Sequence, residues 1–247
     1  MQRRGIDVGG SGIKGAIVDV DVGELVTKRH RIETPKKSTP DAVIDVVRAV
    51  VAHHEWDGPV GITIPGVVQH GVVKTAANIN KRWIDFDART GFTEALGVPV
   101  TVLNDADAAG LAEARFGAVH GSEGVCLVLT FGTGIGSALI NDGRLVPNTE
   151  MGHLEFRGME AETYAAARLV ERENMNIDWW ASRVNEFLQH VDFIFNPDVI
   201  VFGGGISKRF DDLIQHFDVN AELVPASLRN NAGIVGAAMA TMEGTDT

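Results

Sequence analysis

The stretch Gly10-Ser11-Gly12-Ile13-Lys14-Gly15-Ala16-Ile17-Val18 recurs in altered form as Gly132-Thr133-Gly134-Ile135-Gly136-Ser137-Ala138-Leu139-Ile140. Both read glycine, small hydroxyl residue, glycine, isoleucine, any residue, small residue, alanine, then two aliphatics. Each follows a short apolar run, Gly5 to Val8 and Val125 to Phe131, and each leads into another. Strand, glycine turn, strand, occurring twice, predicts two related halves. The first copy also satisfies G-x-G-x-x-G, but the dinucleotide fingerprint requires a helix after its glycines. Here Ala16 to Val20 is rich in β-branched residues and runs into a turn at Asp21 to Glu24, so that reading fails. A glycine turn between two strands instead exposes consecutive backbone N–H groups, a nest for phosphate oxygens. Lys14 adds a positive charge, and Asp7 at the end of the first strand can hold Mg²⁺ through water.

Outward from these hairpins, strands and helices alternate, which predicts an α/β protein. Pro40 to His54 carries valines at helical spacing, with Thr39 as N-cap and Pro40 in the first position. Val60 to Ile64 and Val98 to Leu103 read as buried strands. Asp105 to Phe116 reads as a helix capped by Asn104 or Asp105. Trp180, Val184, Phe187, Leu188, Val191, Ile194 and Phe195 form the apolar face of a long helix that stops at Asn196-Pro197. A strand over Val199 to Phe202 then enters Gly203-Gly204-Gly205, and Asn231 to Met242 reads as a last helix.

The chain has 247 residues, 22 Lys plus Arg against 33 Asp plus Glu, and a net charge of −11. That acidity argues against general affinity for nucleic acid or anionic lipid. Cys126 is the only cysteine, which excludes an intrachain disulfide and a zinc site of several thiolates. The polar start, Met1-Gln2-Arg3-Arg4, is no signal peptide, and the apolar runs are too short to span a membrane. A soluble, cytoplasmic protein is expected.

Two further clusters can carry chemistry. Asn104-Asp105-Ala106-Asp107 lies where a strand meets a helix, the edge of an α/β sheet where sites form. A carboxylate there can act as general base toward a hydroxyl, or merely cap the helix; Asp107 is expected to face away or to cap. Glu150-Met151-Gly152-His153-Leu154-Glu155 can bind a metal or sugar hydroxyls, or be a solvated loop.

Together these motifs resemble the ROK-family sugar kinases of the actin/hexokinase-like superfamily: Asp7 to Lys14, Asn104 to Asp107, Thr130 to Gly136, Glu150-x-Gly152-His153 and Gly203 to Gly205 follow the family's order. Within it, Thr75 to Asn78, Asn104 to Phe116, Leu145 to Glu150 and Leu228 to Ala238 are most similar to an actinobacterial group that uses polyphosphate. The resemblance covers essentially the whole chain and implies two actin/hexokinase-like (ribonuclease H-like) α/β lobes with an active-site cleft. Residues 1–104 would form a small N-terminal lobe, joined by the C-terminal helix 232–247, and 105–231 the large lobe.

The resemblance further implies transfer of a phosphoryl group from inorganic polyphosphate, or ATP, to the 6-hydroxyl of glucose, with mannose a possible acceptor. Asp105 matches the family's catalytic base. Asn104, Glu150, His153 and Glu162 match its sugar ligands. Gly9, Gly10, Ser11, Gly12 and Lys14 match the first phosphate loop, Thr133, Gly134 and Gly136 the second, and Gly204 and Gly205 the segment that backs adenosine. Asp7 is the expected Mg²⁺ partner. Many family members carry a Cys-rich zinc motif after Glu-x-Gly-His; residues 154–165 hold no cysteine, so no zinc is expected and His153 reads as a sugar ligand. The chain starts at its first strand without the helix-turn-helix of the family's repressors, so no DNA binding is expected, whereas a homodimer is. An ATP-only glucokinase or glucomannokinase is the rival within the class, and a non-catalytic sugar sensor the rival outside it. A cationic track for polyphosphate is expected among Lys14, Lys74, Lys81-Arg82, Lys208-Arg209 and Arg229.

Overall fold

The computed structural model describes residues 1–242, and the chain divides into two units. The first comprises Met1–Ala112 and the chain from Asn231 on; the second comprises Glu113–Asn230.

In the first unit β1 (Gln2–Val8) and β2 (Ile13–Asp19) form an antiparallel hairpin, extended at the edge by β3 (Glu24–Leu25) and β4 (His30–Ile32). After α1 (Pro40–Ala52), β5 (Val60–Ile64) returns parallel to β1. A small ribbon, β6 (Val68–Gln69) and β7 (Val72–Val73), and α2 (Ala88–Leu96) precede β8 (Val100–Asn104), which pairs parallel to β5. Helix α3 (Asp105–Phe116) starts in the first unit and ends in the second.

The second unit repeats the plan. Strands β9 (Val125–Phe131) and β10 (Ile135–Asn141) make the hairpin and β11 (Arg144–Val146) its edge. A ribbon of β12 (Glu155–Phe156) and β13 (Met159–Glu160) leads to α4 (Ala161–Ala165), α5 (Arg168–Arg172) and the long α6 (Ile177–Phe195). Strand β14 (Val199–Gly203) then pairs parallel to β9, followed by α7 (Phe210–Leu213) and β15 (Glu222–Pro225). The two sheets run β3-β2-β1-β5-β8 and β11-β10-β9-β14-β15, the same order of hairpin and parallel strands. The internal repeat is therefore a repeat of topology as well as of sequence.

The chain returns to the first unit as α8 (Ala232–Ala240), which lies on β1 and β5. Its backbone comes so close that a Cβ on Gly5 would stand 1.9 Å from the Ile234 carbonyl oxygen, and one on Gly61 1.7 Å from that of Ala237. Only glycine fits those positions. The expected last helix extends to Met242 and the proposed C-terminal element to 247; the observed helix ends at Ala240, and 243–247 lie outside the described residues.

Each unit has its own apolar core. In the first, Ile6, Val8, Ile62 and Ile64 meet Val43, Val47 and Val50 of α1, with Trp83 and Phe92 fully enclosed. In the second, Phe131 stacks on Phe202 at 4.8 Å between ring centroids, and Trp180 donates its indole N–H to the Ala165 carbonyl at 3.1 Å. Helix α6 is capped at its start by the Asn176 side chain, and at its end by Asn196 in the left-handed region (φ +43°), before Pro197 prevents continuation.

Some local expectations fail for identifiable reasons. Thr39 occupies the N-cap position of α1 without a side-chain capping bond. Strand β8 starts at Val100 rather than Val98, because Pro99 has no N–H for the ladder. On α6, Ile194 is 46% exposed rather than in the core face, and Trp179 and Phe193 are also exposed. Among the described residues no helix is long and apolar enough to cross a membrane.

Candidate functional site

In the first unit, the register of the sheet sets Arg31, Lys14, Asp7 and Thr63 side by side across β4, β2, β1 and β5. Lys14 Nζ lies 3.3 Å from Asp7 Oδ2, and the Thr63 hydroxyl donates to Asp7 Oδ1 at 3.2 Å. Thr63 Oγ1 in turn accepts the Val8 N–H at 3.1 Å. The carboxylate also faces the first turn of α8. A Cβ at Gly233 would stand 3.2 Å from Asp7 Cγ, so glycine lets the N-terminal end of the helix, with its partial positive charge, come up to the acid.

The turn from Gly9 to Gly12 closes with a hydrogen bond from the Gly9 N–H to the Gly12 carbonyl at 3.1 Å, leaving Gly10 and Ser11 exposed. Arg31 braces it from outside: its Nη2 donates to the Ser11 carbonyl at 2.6 Å. A Cβ on Gly12 would fall 2.4 Å from Arg31 Nε, so this glycine makes room for the guanidinium.

At the far edge of the same sheet, Asn104 is buried and bonded at both ends of its amide. Its Nδ2 donates to the Gly66 carbonyl at 3.1 Å, while Oδ1 accepts the N–H groups of Ala106 and Asp107 at 2.7 and 3.0 Å. Asn104 is therefore the cap of α3, and it fixes the half-buried Asp105 at the first helical position, at the C-terminal edge of the sheet. Asp107 is buried.

In the second unit, the Gly132 N–H donates to the Gly134 carbonyl at 3.0 Å, closing the loop that presents Thr133, Gly134 and Gly136. The next cluster is built on Ser137 of β10, whose hydroxyl donates to the Thr149 carbonyl at 2.6 Å and accepts the Met151 N–H at 2.9 Å. Those two bonds hold Glu150 between them. His153 Nε2 lies 3.4 Å from Glu150 Oε2 and its Nδ1 3.3 Å from Glu160 Oε2. Burial pushes the Glu150 carboxyl above its ordinary range; His153 partly offsets this, and the nearby Glu162 carboxylate adds to it. Glu162, in the first turn of α4, is buried, accepts the Ile135 N–H at 3.4 Å and pairs with Arg168 at 3.6 Å.

The ligand atoms of His153, Glu160 and Glu162 lie within 4.8 Å of one another, near enough to hold a divalent cation. Reading only the missing cysteines overlooks Glu160 here. Gly204, with φ +86°, follows β14 and starts the turn at Gly205–Arg209. Within each unit the expected residues thus converge: Asp7, Gly9 to Gly12 and Lys14 in one group, Glu150, His153 and Glu162 in another. The sequence reading missed Arg31, Thr63 and Glu160. For Arg31 a signal was present in the basic run Lys28 to Arg31.

Residues 3–168 match the profile of the ROK family. A polyphosphate glucokinase of Mycobacterium tuberculosis is 51% identical, covering 98% of this chain and 91% of the relative. The crystal structure of an inorganic polyphosphate/ATP-glucomannokinase from Arthrobacter sp. strain KM superposes with a TM-score of 0.95 at 48% identity, over 98% of this chain and 99% of that one. A ROK family glucokinase from Streptomyces griseus, in complex with glucose and AMPPNP, shares the fold with a TM-score of 0.83 at 23% identity, over 97% and 98% of the two chains. The repeated hairpin-and-parallel sheet, the two glycine loops and a relative half identical over nearly all of its length lead to one conclusion: the chain belongs to the ROK family.

Proposed function

We propose that this chain transfers a phosphoryl group from inorganic polyphosphate, and from ATP as an alternative donor, to the 6-hydroxyl of glucose, with mannose as a second acceptor. The observation that carries the reading is the 51% identity to a polyphosphate glucokinase over 98% of the chain. The Arthrobacter relative, named for both donors and for both sugars, supports it.

Phosphoryl transfer depends on positioning and electrostatics more than on covalent chemistry by the protein. In this reading Asp105 takes the proton of the attacking hydroxyl, held in place by the Asn104 cap. Glu150, His153, Glu162 and Asn104 hold the sugar hydroxyls. The N–H groups of Gly10, Ser11 and Gly12, in a turn that the Gly9 N–H closes, with those of Thr133, Gly134 and Gly136, receive donor phosphate oxygens, and Lys14 turns toward them. Gly204 and Gly205 back the adenosine when ATP is the donor. Mg²⁺ keeps several waters and needs only one or two carboxylates, so Asp7, a partly exposed acid beside a phosphate loop, fits it. When bound, the ion supplies charge neutralisation on the donor phosphates. The His153 group serves the sugar, and activity is expected to need Mg²⁺ and to survive removal of zinc.

We read the protein as a cytoplasmic homodimer, for which the exposed Trp179 and Phe193 of α6 supply apolar surface. Intact Asp105 and Lys14 speak against a non-catalytic sensor. The acceptor half is tested by calorimetry with glucose. Glu150→Ala and His153→Ala should each weaken binding sharply, because the partner groups left behind stay buried and unpaired. Unchanged affinity in both variants would place the sugar elsewhere.

A further inference from the structure

Four of the cations first expected to line a polyphosphate track, Lys74, Lys81, Arg82 and Arg209, are engaged by other groups. Lys74 pairs with Asp85 at 3.0 Å, Arg82 with Asp41 at 3.5 Å and Arg209 with Asp212 at 3.6 Å, while Lys81 donates to the Ala76 carbonyl at 2.7 Å. Another segment concentrates cations beside the first glycine loop. Residues 28–37 read Lys-Arg-His-Arg-Ile-Glu-Thr-Pro-Lys-Lys and hold five of the 22 Lys and Arg residues of this acidic chain, against a single carboxylate. Among the described residues, Arg31, Lys36 and Lys37 form no ion pair with a carboxylate, and all three are exposed.

The segment is laced around the first phosphate loop. Arg31 stands opposite Lys14 in the β2–β4 pairing and bonds the Ser11 carbonyl. Three residues on, the Thr34 hydroxyl donates to the Gly9 carbonyl at 2.5 Å, at the other end of the same loop. Beyond it Lys36 lines a cavity of about 300 Å³ whose wall also includes Gly9, Gly10, Thr34, Ser38 and Asn78. Arg31 and Lys36, neither in an ion pair with a carboxylate, thus flank the Gly9–Gly12 turn, and the segment that carries them is anchored to its backbone through Arg31 and Thr34.

We propose that segment 28–37 is the donor subsite for the part of a polyphosphate chain beyond the phosphoryl group being transferred, with Arg31 and Lys36 as the residues that select polyphosphate over ATP. The inference rests on the reading of this chain as a polyphosphate-using kinase. The chemistry follows from the donors. ATP ends its charge at three phosphates and continues as an uncharged nucleoside, so cations farther along the donor path serve only a longer phosphate chain. An Arg fork suits bidentate contact with phosphate, and a Lys suits a mobile polyanion as a point charge. Within a Debye length of about 8 Å these charges outweigh the remote acidic surface.

The test compares long-chain polyphosphate, tripolyphosphate and ATP as donors at saturating glucose, in the wild type and in two double variants, Arg31→Gln/Lys36→Gln and Lys36→Gln/Lys37→Gln. The second pair changes only exposed lysines away from Gly12, and so separates loss of charge from disturbance of the loop. The ratio of kcat/KM for long-chain polyphosphate to that for ATP should fall about tenfold or more in the first variant. The preference for long chains over tripolyphosphate should shrink in both variants, as should the salt sensitivity of the long-chain reaction. Equal losses with all three donors would reduce Arg31 to a brace of the loop and overturn the proposal, as would unchanged ratios. A wild type that uses ATP but no polyphosphate refutes the donor reading itself, and the inference with it.

Discussion

Lys14 and Asp7 face each other across the first hairpin, with Nζ 3.3 Å from Oδ2, at directly opposed positions of β2 and β1. The pair holds the lysine beside the Gly9–Gly12 turn; in the proposed function a donor phosphate would compete with Asp7 for it. A partly exposed ion pair contributes only about 1 kcal/mol or less to stability, so its main consequence is positional. Lys14→Met should keep its melting temperature within a few degrees while kcat/KM for either donor falls by about 10² or more. Unimpaired kinetics would remove Lys14 from the donor site.

Asp105→Asn should fold as the wild type does, because the cap of α3 is supplied by Asn104. Its kcat should fall by about 10²–10⁴, the usual contribution of a general base, with glucose binding retained. Near-native turnover in a purified, folded variant would take the base role away from Asp105. Asp107→Asn is a contrasting probe: that residue is buried, so its signature is a lower melting temperature.

Glu150→Gln should divide stability from function. A carboxyl whose folded pKa is raised holds its proton longer in the folded chain than in the unfolded one. Wild-type stability therefore declines as pH rises through the window above the ordinary value of 4.5 and stays lower beyond it. Glutamine has no such titration. The melting temperature of the variant relative to wild type should increase from pH 4 to pH 7, while its glucose affinity drops. A difference constant with pH would show that Glu150 is not strained by burial.

Glu113, buried at the start of the second unit, accepts the N–H groups of Ala118, Ser227 and Leu228 at 2.7, 3.1 and 2.8 Å. Glu113→Ala removes the buried acceptor of three part-buried donors, at about 0.5–1.5 kcal/mol each. Denaturant unfolding should show a loss of about 2 kcal/mol or more, and an unchanged stability would mean water replaces the carboxylate.

The hairpin repeat was legible because glycine turns between β-branched runs have few other solutions, and it foretold the matched order of the two sheets. Helix α3 and its cap were legible for a similar reason: an Asn before an Ala-rich run satisfies open N–H groups locally. What stayed hidden depends on register and on contacts remote in sequence. Nothing in the spacing sets Arg31 opposite Lys14, or Thr63 beside Asp7; strand pairing does that. The basic run at Lys28 to Arg31 carries no mark in the sequence of its place beside the Gly9–Gly12 turn, which the bond from Arg31 to the Ser11 carbonyl gives it. Glu160 escaped because its contact with His153 forms through the β12–β13 turn. Ile194 was misassigned because a helical apolar face, extended to the last turn of α6, outruns the core that covers it.

The central claim is tested most directly by following glucose 6-phosphate formation by the purified protein with Mg²⁺ and glucose, using inorganic polyphosphate and ATP in parallel reactions. The account predicts product with both donors, and a polyphosphate reaction that falls more steeply with added salt than the ATP reaction. Product with ATP alone would contradict the donor assignment and leave an ATP-dependent glucokinase, and no product with either donor would contradict the enzyme reading altogether.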